Sequence, residues 1–550
     1  LDPLFAVTLW NPERNRFFRK GWRDPESYRS GGPEKEEKIM RISEMRGAGR
    51  PAAFLVLGLL LSLSLVLGSS GFSEGTTTIL RVTPEGAGTR DGSSWANALG
   101  EAEFISSLAS AFSGTEFWLA KGSYRPAIPA DSADITETER AAVFTLAHRV
   151  KIYGGFAGTE TERSRRDWTV NVTVLTGDLG NDDLSKVNGA TTDYSKIVGT
   201  NSATVVRADS TVDETAVLDG VTVCGGSAED SGGGLYNQGV PTVEHCIFSG
   251  NLALNGGGMY NGNNQPVLTN CTFSGNGSNF GRGGGMFNDN WSLITLTDCT
   301  FSDNRGLEGG GMANENCSQI ILGGCTFSGN VATLLGGGGL YGERSLVTAT
   351  NCTVSSNRAR FGAGLFLRSS YIVLINCTSI ENDESEGGIV EGDEGATLSA
   401  RNCIFWNEEE QEFEGFNSAS DSVTYSVVKD GRTGAGNLTV DPELKALADN
   451  GGSTLTHALS LGSCAVDTGT SADVPSEDQR GVSRPKGAGY DMGAYELDPS
   501  GDSVLTPTVT PSSASPSVTA SSAGGGGCSV GLVAPMLIFS LVPLLLRRRR

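Results

Sequence analysis

CIFSGN at Cys246–Asn251 returns as CTFSGN at Cys271–Asn276, CTFSDN at Cys299–Asn304, CTFSGN at Cys325–Asn330 and CTVSSN at Cys352–Asn357, with looser copies beginning at Cys377 and Cys403. Successive cysteines stand 25, 28, 26, 27, 25 and 26 residues apart. A repeat of this length marks stacked units, each too small to bury a core of its own.

The phrase also fixes how the chain turns. Leu268, Leu296, Leu322 and Leu374 precede their cysteines by three residues, whereas Phe273, Phe301 and Phe327 follow theirs by two. Residues five apart on one strand face opposite ways, so the chain must bend just before Cys for both sets to face inward. Each unit continues with a Gly run and an apolar–aromatic pair: Leu235-Tyr236, Met259-Tyr260, Met286-Phe287, Leu340-Tyr341, Leu365-Phe366. Three short strands and three corners in about 26 residues, each strand paired with its equivalent one unit on, predict an all-β right-handed parallel β-helix.

In that fold Cys246, Cys271, Cys299, Cys325 and Cys352 form an internal ladder of small apolar thiols. Their parallel directions suit no disulfide. Cys224, Cys317 and Cys464 lie outside the phrase, and a bridge among them stays open. Asn251, Asn276, Asn304, Asn330 and Asn357 are expected to stack at one corner as a second ladder, their amides bonded to each other and to the turn. Glycosylation acceptors such as Asn270-Cys271-Thr272 follow from the repeat and carry no separate weight.

The ends read differently. Residues 1–44 are basic and unpatterned and are expected to be an upstream, non-native extension. Residues 45–73, with Arg46 and Arg50 before the apolar run Ala52–Gly68 and a string of small residues, have the order of a secretory signal. Residues 501–527 are a Pro/Ser/Thr/Gly linker. Residues 528–550 hold the apolar run Val530–Leu546 and four closing arginines, which resist translocation. The net charge is −22; without residues 1–50 and the terminal arginines, the body carries about −29. Such a body repels nucleic acid and anionic lipid, which excludes nucleic-acid partners.

Between the ends, residues 74–142 are expected to form an N-terminal cap with opening strands. Its helix around Gly100–Phe112 is predicted from Ala102, Ile105, Leu108, Ala109 and Phe112 at helical spacing. The β-helix proper is expected over 143–460, and residues 461–500 form a distinct closing or capping domain in which Asp467, Arg480, Arg484, Asp491 and Glu496 can make a buried charge network.

GGGM/GGGL paired with FSGN/FSDN resembles the GGA-I and F-x-x-N repeats of polymorphic outer-membrane proteins. More broadly, residues 78–500 are similar to bacterial right-handed β-helix surface proteins whose opening segment reads DGSSWANA, LAKGSY and YGGFAG. The tail resembles bacterial C-terminal sorting signals, which implies processing near Gly527 and Cys528 and transfer to a surface anchor. The polymorphic proteins end instead in an outer-membrane β-barrel; adhesion is what the resemblance implies for this chain.

For chemistry the sequence offers little. His148, His245 and His457 are the three histidines, and none sits in a catalytic spacing. The segment Gly180-Asn181-Asp182-Asp183, in a loop with Asp178, is a faint echo of one part of the polygalacturonase set. The densest carboxylates lie at 381–394 and 408–414, where Asp383, Glu384, Asp393 and Glu394 are weak Ca²⁺ candidates; no other cofactor is expected. No catalytic residue is assigned. The reading is an exported, surface- or outer-membrane-anchored display protein, adhesin-like or glycan-binding and without enzymatic activity. Its expected partners are host or environmental surface glycans or proteins, and the membrane through the tail. The alternative is a polysaccharide lyase or glycoside hydrolase on the same scaffold.

Overall fold

The structure is a computed structural model, which describes residues 77–500 apart from 130–133, Cys317, Ser385, Glu394, 409–410 and 417–419. The signal-like segment 45–73, the linker 501–527 and the tail with Gly527 and Cys528 lie outside the described residues. Among the described residues no helix is long and apolar enough to cross a membrane.

The chain winds into a parallel β-helix whose walls are three long sheets, of 12, 11 and 10 strands among the described residues. The first runs from Thr78–Val82 to Ser422–Thr424, the second from Gly122–Tyr124 to Val427–Val428, and the third from Phe144–Leu146 to Phe413–Glu414. A narrow fourth sheet of two-residue strands, from Leu252–Ala253 to Asp383–Glu384, follows the Asn corner. That adds one short side to the three the sequence predicts. Register is in phase with the repeat: Phe248 pairs with Phe273, Phe273 with Phe301, and Phe301 with Phe327.

The bend inferred from parity sits one residue before each cysteine. His245, Asn270, Asp298, Asn351, Asn376 and Asn402 there take φ of 49° to 54°, the left-handed region that Asn and Asp tolerate better than other side chains. Leu268 and Phe273 both become fully buried as a result. The Phe rings stack inside, with centroids 4.7 to 4.8 Å apart. The Gly runs have two tasks, shown by Gly283–Gly285. Gly283 turns the chain at φ 67°, and a Cβ on Gly285 would meet the Gly311 carbonyl at 2.6 Å and the Asn304 amide at 3.1 Å. Only glycine lets the backbone close over the Asn row.

The N-terminal helix α1 spans Glu101–Ala109. Its buried face is Phe104 and Leu108, with Ile105 and Ala111 packed beside them. The face predicted from Ala102, Ala109 and Phe112 is on the solvent side, and Phe112 is 85% exposed. Phe104 wins because its ring meets Phe117, Tyr124 and Phe144, with centroids 5.3 to 6.0 Å away.

After the last coils the chain folds back. Residues 441–497 lie along the flank of the second sheet: Thr454 bonds the Gly324 carbonyl, Gln479 reaches Thr326 and Thr353, and the backbone N–H of Ala494 reaches Thr378. Most of the segment expected as a closing unit, 461–500, lies within this flanking stretch. Its acids and bases are interlocked. Arg484 and Glu496 pair at 2.8 Å with both side chains sealed from solvent, and Arg480 pairs with Asp478 at 2.8 Å while stacking on Tyr495. Asp491 accepts backbone N–H bonds from Asp467 and Leu497.

Candidate functional site

The interior of the stack is fully occupied by structure. Cys246, Cys271, Cys299, Cys325, Cys352, Cys377 and Cys403 are buried free thiols, and each sulfur donates to a backbone carbonyl two residues back. Cys224 and Cys464 are free as well; Cys317 lies outside the described residues. Asn251, Asn276, Asn304, Asn330, Asn357, Asn382 and Asn407 form one continuous ladder. Each Nδ2 donates to the next Oδ1 at 2.9 to 3.1 Å. It ends on the carboxylate of Glu412, which takes both the amide and the backbone N–H of Asn407. Burial pushes the Glu412 carboxyl up to about 7, with Asp430 adding to the rise.

A second ladder, absent from the sequence reading, runs through the third sheet. Asn237, Asn261, Asn288 and Asn314 are fully buried and linked amide to carbonyl at 2.7 to 2.9 Å. Its signal was present in Leu-Tyr-Asn, Met-Tyr-Asn, Met-Phe-Asn and Met-Ala-Asn, which repeat at the coil period. The inward Asn is two residues after the inward Leu or Met, as alternation requires.

The third sheet's outer face is where side chains vary. One outward row reads Arg207, Tyr236, Tyr260, Phe287, Ala313, Tyr341, Phe366 and Glu391 in register. The next outward row holds Asp289, Glu315 and Glu343. Tyr236 and Tyr260 are half-buried and stack at 5.1 Å, while Phe287, Tyr341 and Phe366 are covered by side chains around them. A cleft of about 430 Å³ opens beside Phe287, walled by Leu254, Phe280, Arg282, Glu308 and Leu334. A second, of about 510 Å³, lies at the Arg207 and Tyr236 end, against Arg140 and Asp230. Phe280 and Leu334 stand 79% and 54% exposed at the loop tips.

Arg282 organises the middle of this groove. It pairs with Glu308 at 2.5 Å and with Glu315, and approaches Glu343 at 3.6 Å, while Arg344 meets Glu343 at 3.4 Å. Burial works against its charge, but Glu315 and Glu308 outweigh that and hold the guanidinium above its ordinary value. Burial raises the Tyr260 phenol to about 12 and Tyr341 higher still, so both are neutral hydrogen-bonding rings at any physiological pH. The arrangement presents apolar ring faces fringed by carboxylates.

Among the described residues, Asp383, Glu384 and Asp393 do not converge as a metal-sized group. Asp383 is exposed and paired with Arg358 at 2.6 Å on the fourth sheet, and Asp393 faces Arg368 at 3.5 Å on the third. Glu384 lies beside Asp383 in its strand; Glu394 is outside the described residues. The acids that do converge are others. Ligand atoms of Asp178, Asp182 and Asp183 lie within 4.8 Å of one another, and so do those of Asp219, Glu244 and His245. In the second group Arg166 already binds Asp219, and His245 Nδ1 contacts it at 3.0 Å. His148 meets Asp213 at 3.0 Å, and His457 is buried between the Lys445 carbonyl and Ser355.

Comparison with known proteins agrees with the architecture. Residues 184–345 match the family described as right handed beta helix region, in agreement with the parallel β-helix of the structure. No curated protein matches the sequence. Among solved structures, pectate lyase Pel9A is similar at 13% identity, covering 77% of this chain and 97% of its own, with a TM-score of 0.42. A rhamnogalacturonan lyase is similar at 9% identity, covering 70% and 96%, with a TM-score of 0.37. The A-module of mannuronan C-5 epimerase AlgE4 from Azotobacter vinelandii is similar at 12% identity, covering 62% and 99%, with a TM-score of 0.28. These likenesses are too slight to carry an activity across.

Proposed function

We propose that this is an exported, surface-anchored display protein that binds glycans along the outer face of the third sheet and does not cleave them. The observation that supports the reading is the half-exposed Tyr236–Tyr260 stack, with Tyr236 lining the cleft beside Arg140 and Asp230. A sugar ring has an apolar, weakly positive C–H face, and an aromatic ring offers it a negative face of matching size. Tyr236 and Tyr260, stacked at 5.1 Å along the axis, give a short platform for one or two sugar rings. Carboxylates and amides at the rim supply acceptors and donors for hydroxyl groups. The export and anchoring parts of the proposal rest on residues 45–73 and 528–550. The competing lyase or hydrolase reading needs an acid or base free to face a bound sugar, whereas in this groove Arg282 and Arg344 are held by Glu308, Glu315 and Glu343.

Binding of the purified full-length chain to immobilised neutral and acidic polysaccharides tests this, with Tyr236→Ala and Tyr260→Ala alongside. Retention that falls about fivefold in each variant supports it, since one aromatic stack is worth about 1 kcal/mol. New reducing ends or unsaturated products in the wild-type incubation would overturn the non-catalytic part, and retention indifferent to both tyrosines would overturn the site.

A further inference from the structure

Between the strands Thr173–Thr176 and Val206–Ala208 the chain leaves the coil in a long excursion. It crosses the second sheet, where Ser249 donates to the Thr191 carbonyl at 2.9 Å and the Tyr194 N–H donates to Gly275 at 2.8 Å. At its root sit Asp178, Asp182 and Asp183. We propose that this root is a binding site for a divalent cation of the Ca²⁺ type, held by the three carboxylates and the side-chain oxygen of Asn201.

Three negative groups within 4.8 Å repel one another strongly unless a cation lies between them. Asp178 and Asp183 are 1% and 7% exposed, so water screens that repulsion poorly. Among the described residues the ion pair made by the cluster is that of Lys186 with Asp178, and Lys186 also bonds Asn181 Oδ1 at 2.9 Å; Arg125 acts on Asp178 from farther away. One ammonium is a partial answer to three carboxylates. The backbone has made room for Asp182 as well: a Cβ on Gly199 would fall 2.3 Å from its Oδ2, and one on Gly180 would fall 2.8 Å from its Oδ1.

An independent observation comes from Asn201, which is 3% exposed. Its Nδ2 donates to Asp183 Oδ2 at 3.1 Å and to the Gly225 carbonyl at 2.7 Å. Both donors are therefore used, and they fix the carboxamide against the Asp183 carboxylate. Its Oδ1, on the same small planar group, is buried without any hydrogen-bond partner, and so is the neighbouring Ser202 Oγ. A buried carboxamide oxygen with no donor is costly; Asn264, Asn270 and Asn376 carry one too, but the oxygen of Asn201 belongs to a group bonded to one of three clustered carboxylates, where an ion would satisfy it. All-oxygen donors of this kind select hard cations, and Ca²⁺ tolerates irregular ligand geometry better than Mg²⁺ does. The ion would tie the excursion's root to the coil.

The test uses the full-length chain stripped with EDTA. Calorimetric titration with CaCl₂ is expected to show one ion per chain, with a dissociation constant of about 10⁻⁴ to 10⁻³ M and a higher melting temperature at saturation. Asp182→Asn removes one negative charge from the exposed side and is expected to weaken binding by about tenfold, while the metal-free melting temperature holds or rises because a repulsion is lost. Lys186→Ala removes the competing ammonium: it is expected to lower metal-free stability yet tighten Ca²⁺ binding. Asp383→Asn, on the acidic surface, is expected to leave the titration unchanged. No uptake by the wild type, equal uptake by Asp182→Asn, weaker uptake by Lys186→Ala, or loss confined to Asp383→Asn would each overturn the proposal.

Discussion

The two faces of the third sheet are made by the same strands and obey different rules. Inward, Leu235, Met259, Met286, Met312 and Leu340 alternate with Asn237, Asn261, Asn288 and Asn314, each stacked on its own copy. Outward, the same strands carry Tyr236, Tyr260, Phe287, Ala313 and Tyr341, and at or just past their ends come Gln238, Gly262, Asp289, Glu315 and Glu343. An inward residue answers to identical neighbours one coil above and below, so any change is felt three coils wide. An outward residue answers to loops of variable length. Repetition therefore marks what holds the stack, and variation marks where a ligand can be read.

The sharpest way to break this comparison is inside. Asn304 accepts from both the backbone N–H and the amide of Asn276 and donates to Phe273 and Asn330. Asn304→Ala orphans two buried donors at about 1 to 3 kcal/mol each, so a loss of roughly 4 kcal/mol is expected in chemical denaturation. A variant as stable as wild type would mean that the ladder is ornamental.

The flanking unit at 441–497 has no repeat to lean on, yet it too is buried polar structure. Arg484→Met leaves Glu496 sealed and unpaired, at an expected cost of about 3 kcal/mol, whereas Arg484→Met with Glu496→Leu recovers most of it. Urea melts of the single and double variants check this; equal losses in both would show that the unit needs the charges themselves.

The pH dependence links the two buried regions. Burial raises Glu412, at the end of the Asn ladder, and Asp491, in the flanking unit, each to about 7. In the unfolded chain these carboxyls ionise near their ordinary values of 4.5 and 3.8. Protons are thus held more tightly by the folded form, and stability falls as pH rises from about 4 to about 7, then levels. Glu412→Gln is expected to flatten part of that slope in melting temperatures taken between pH 4.5 and 8. A slope unchanged by Glu412→Gln would place the titration elsewhere.

How much of this was legible follows from the same division. CTFSGN showed the coil, the bend and the inward Cys, Phe and Asn, because every copy repeats the constraint. The Asn237 ladder was equally periodic but shorter, and Gly342, Leu367 and Gly392 end it. The face of α1 was legible in part: Ile105 and Leu108 turn inward as their spacing predicts, but Phe104, packed on Phe117 and Phe144, swings the face away from Ala102, Ala109 and Phe112. The docking of 441–497 could not be read at all. Gln479 meets Thr326 and Thr353 across 153 and 126 residues, and no local pattern announces a partner that distant. The groove's Arg282 lay in a plain Gly-Arg-Gly segment, and only the fold brings Glu308, Glu315 and Glu343 around it.

The smallest structural effect should carry the clearest functional one. Phe280, 79% exposed at the lip of the cleft, has no stacking copy, so Phe280→Ser should shift stability by less than about 0.5 kcal/mol. Burying a ring against a sugar face is worth more than that, at about 25 cal/mol per Å² of apolar area. Glycan retention should therefore fall while the melting curve stays put. If retention and melting fell together, the loop tip would belong to the stack after all, and the line between an inner face that builds and an outer face that binds would have to be redrawn coil by coil.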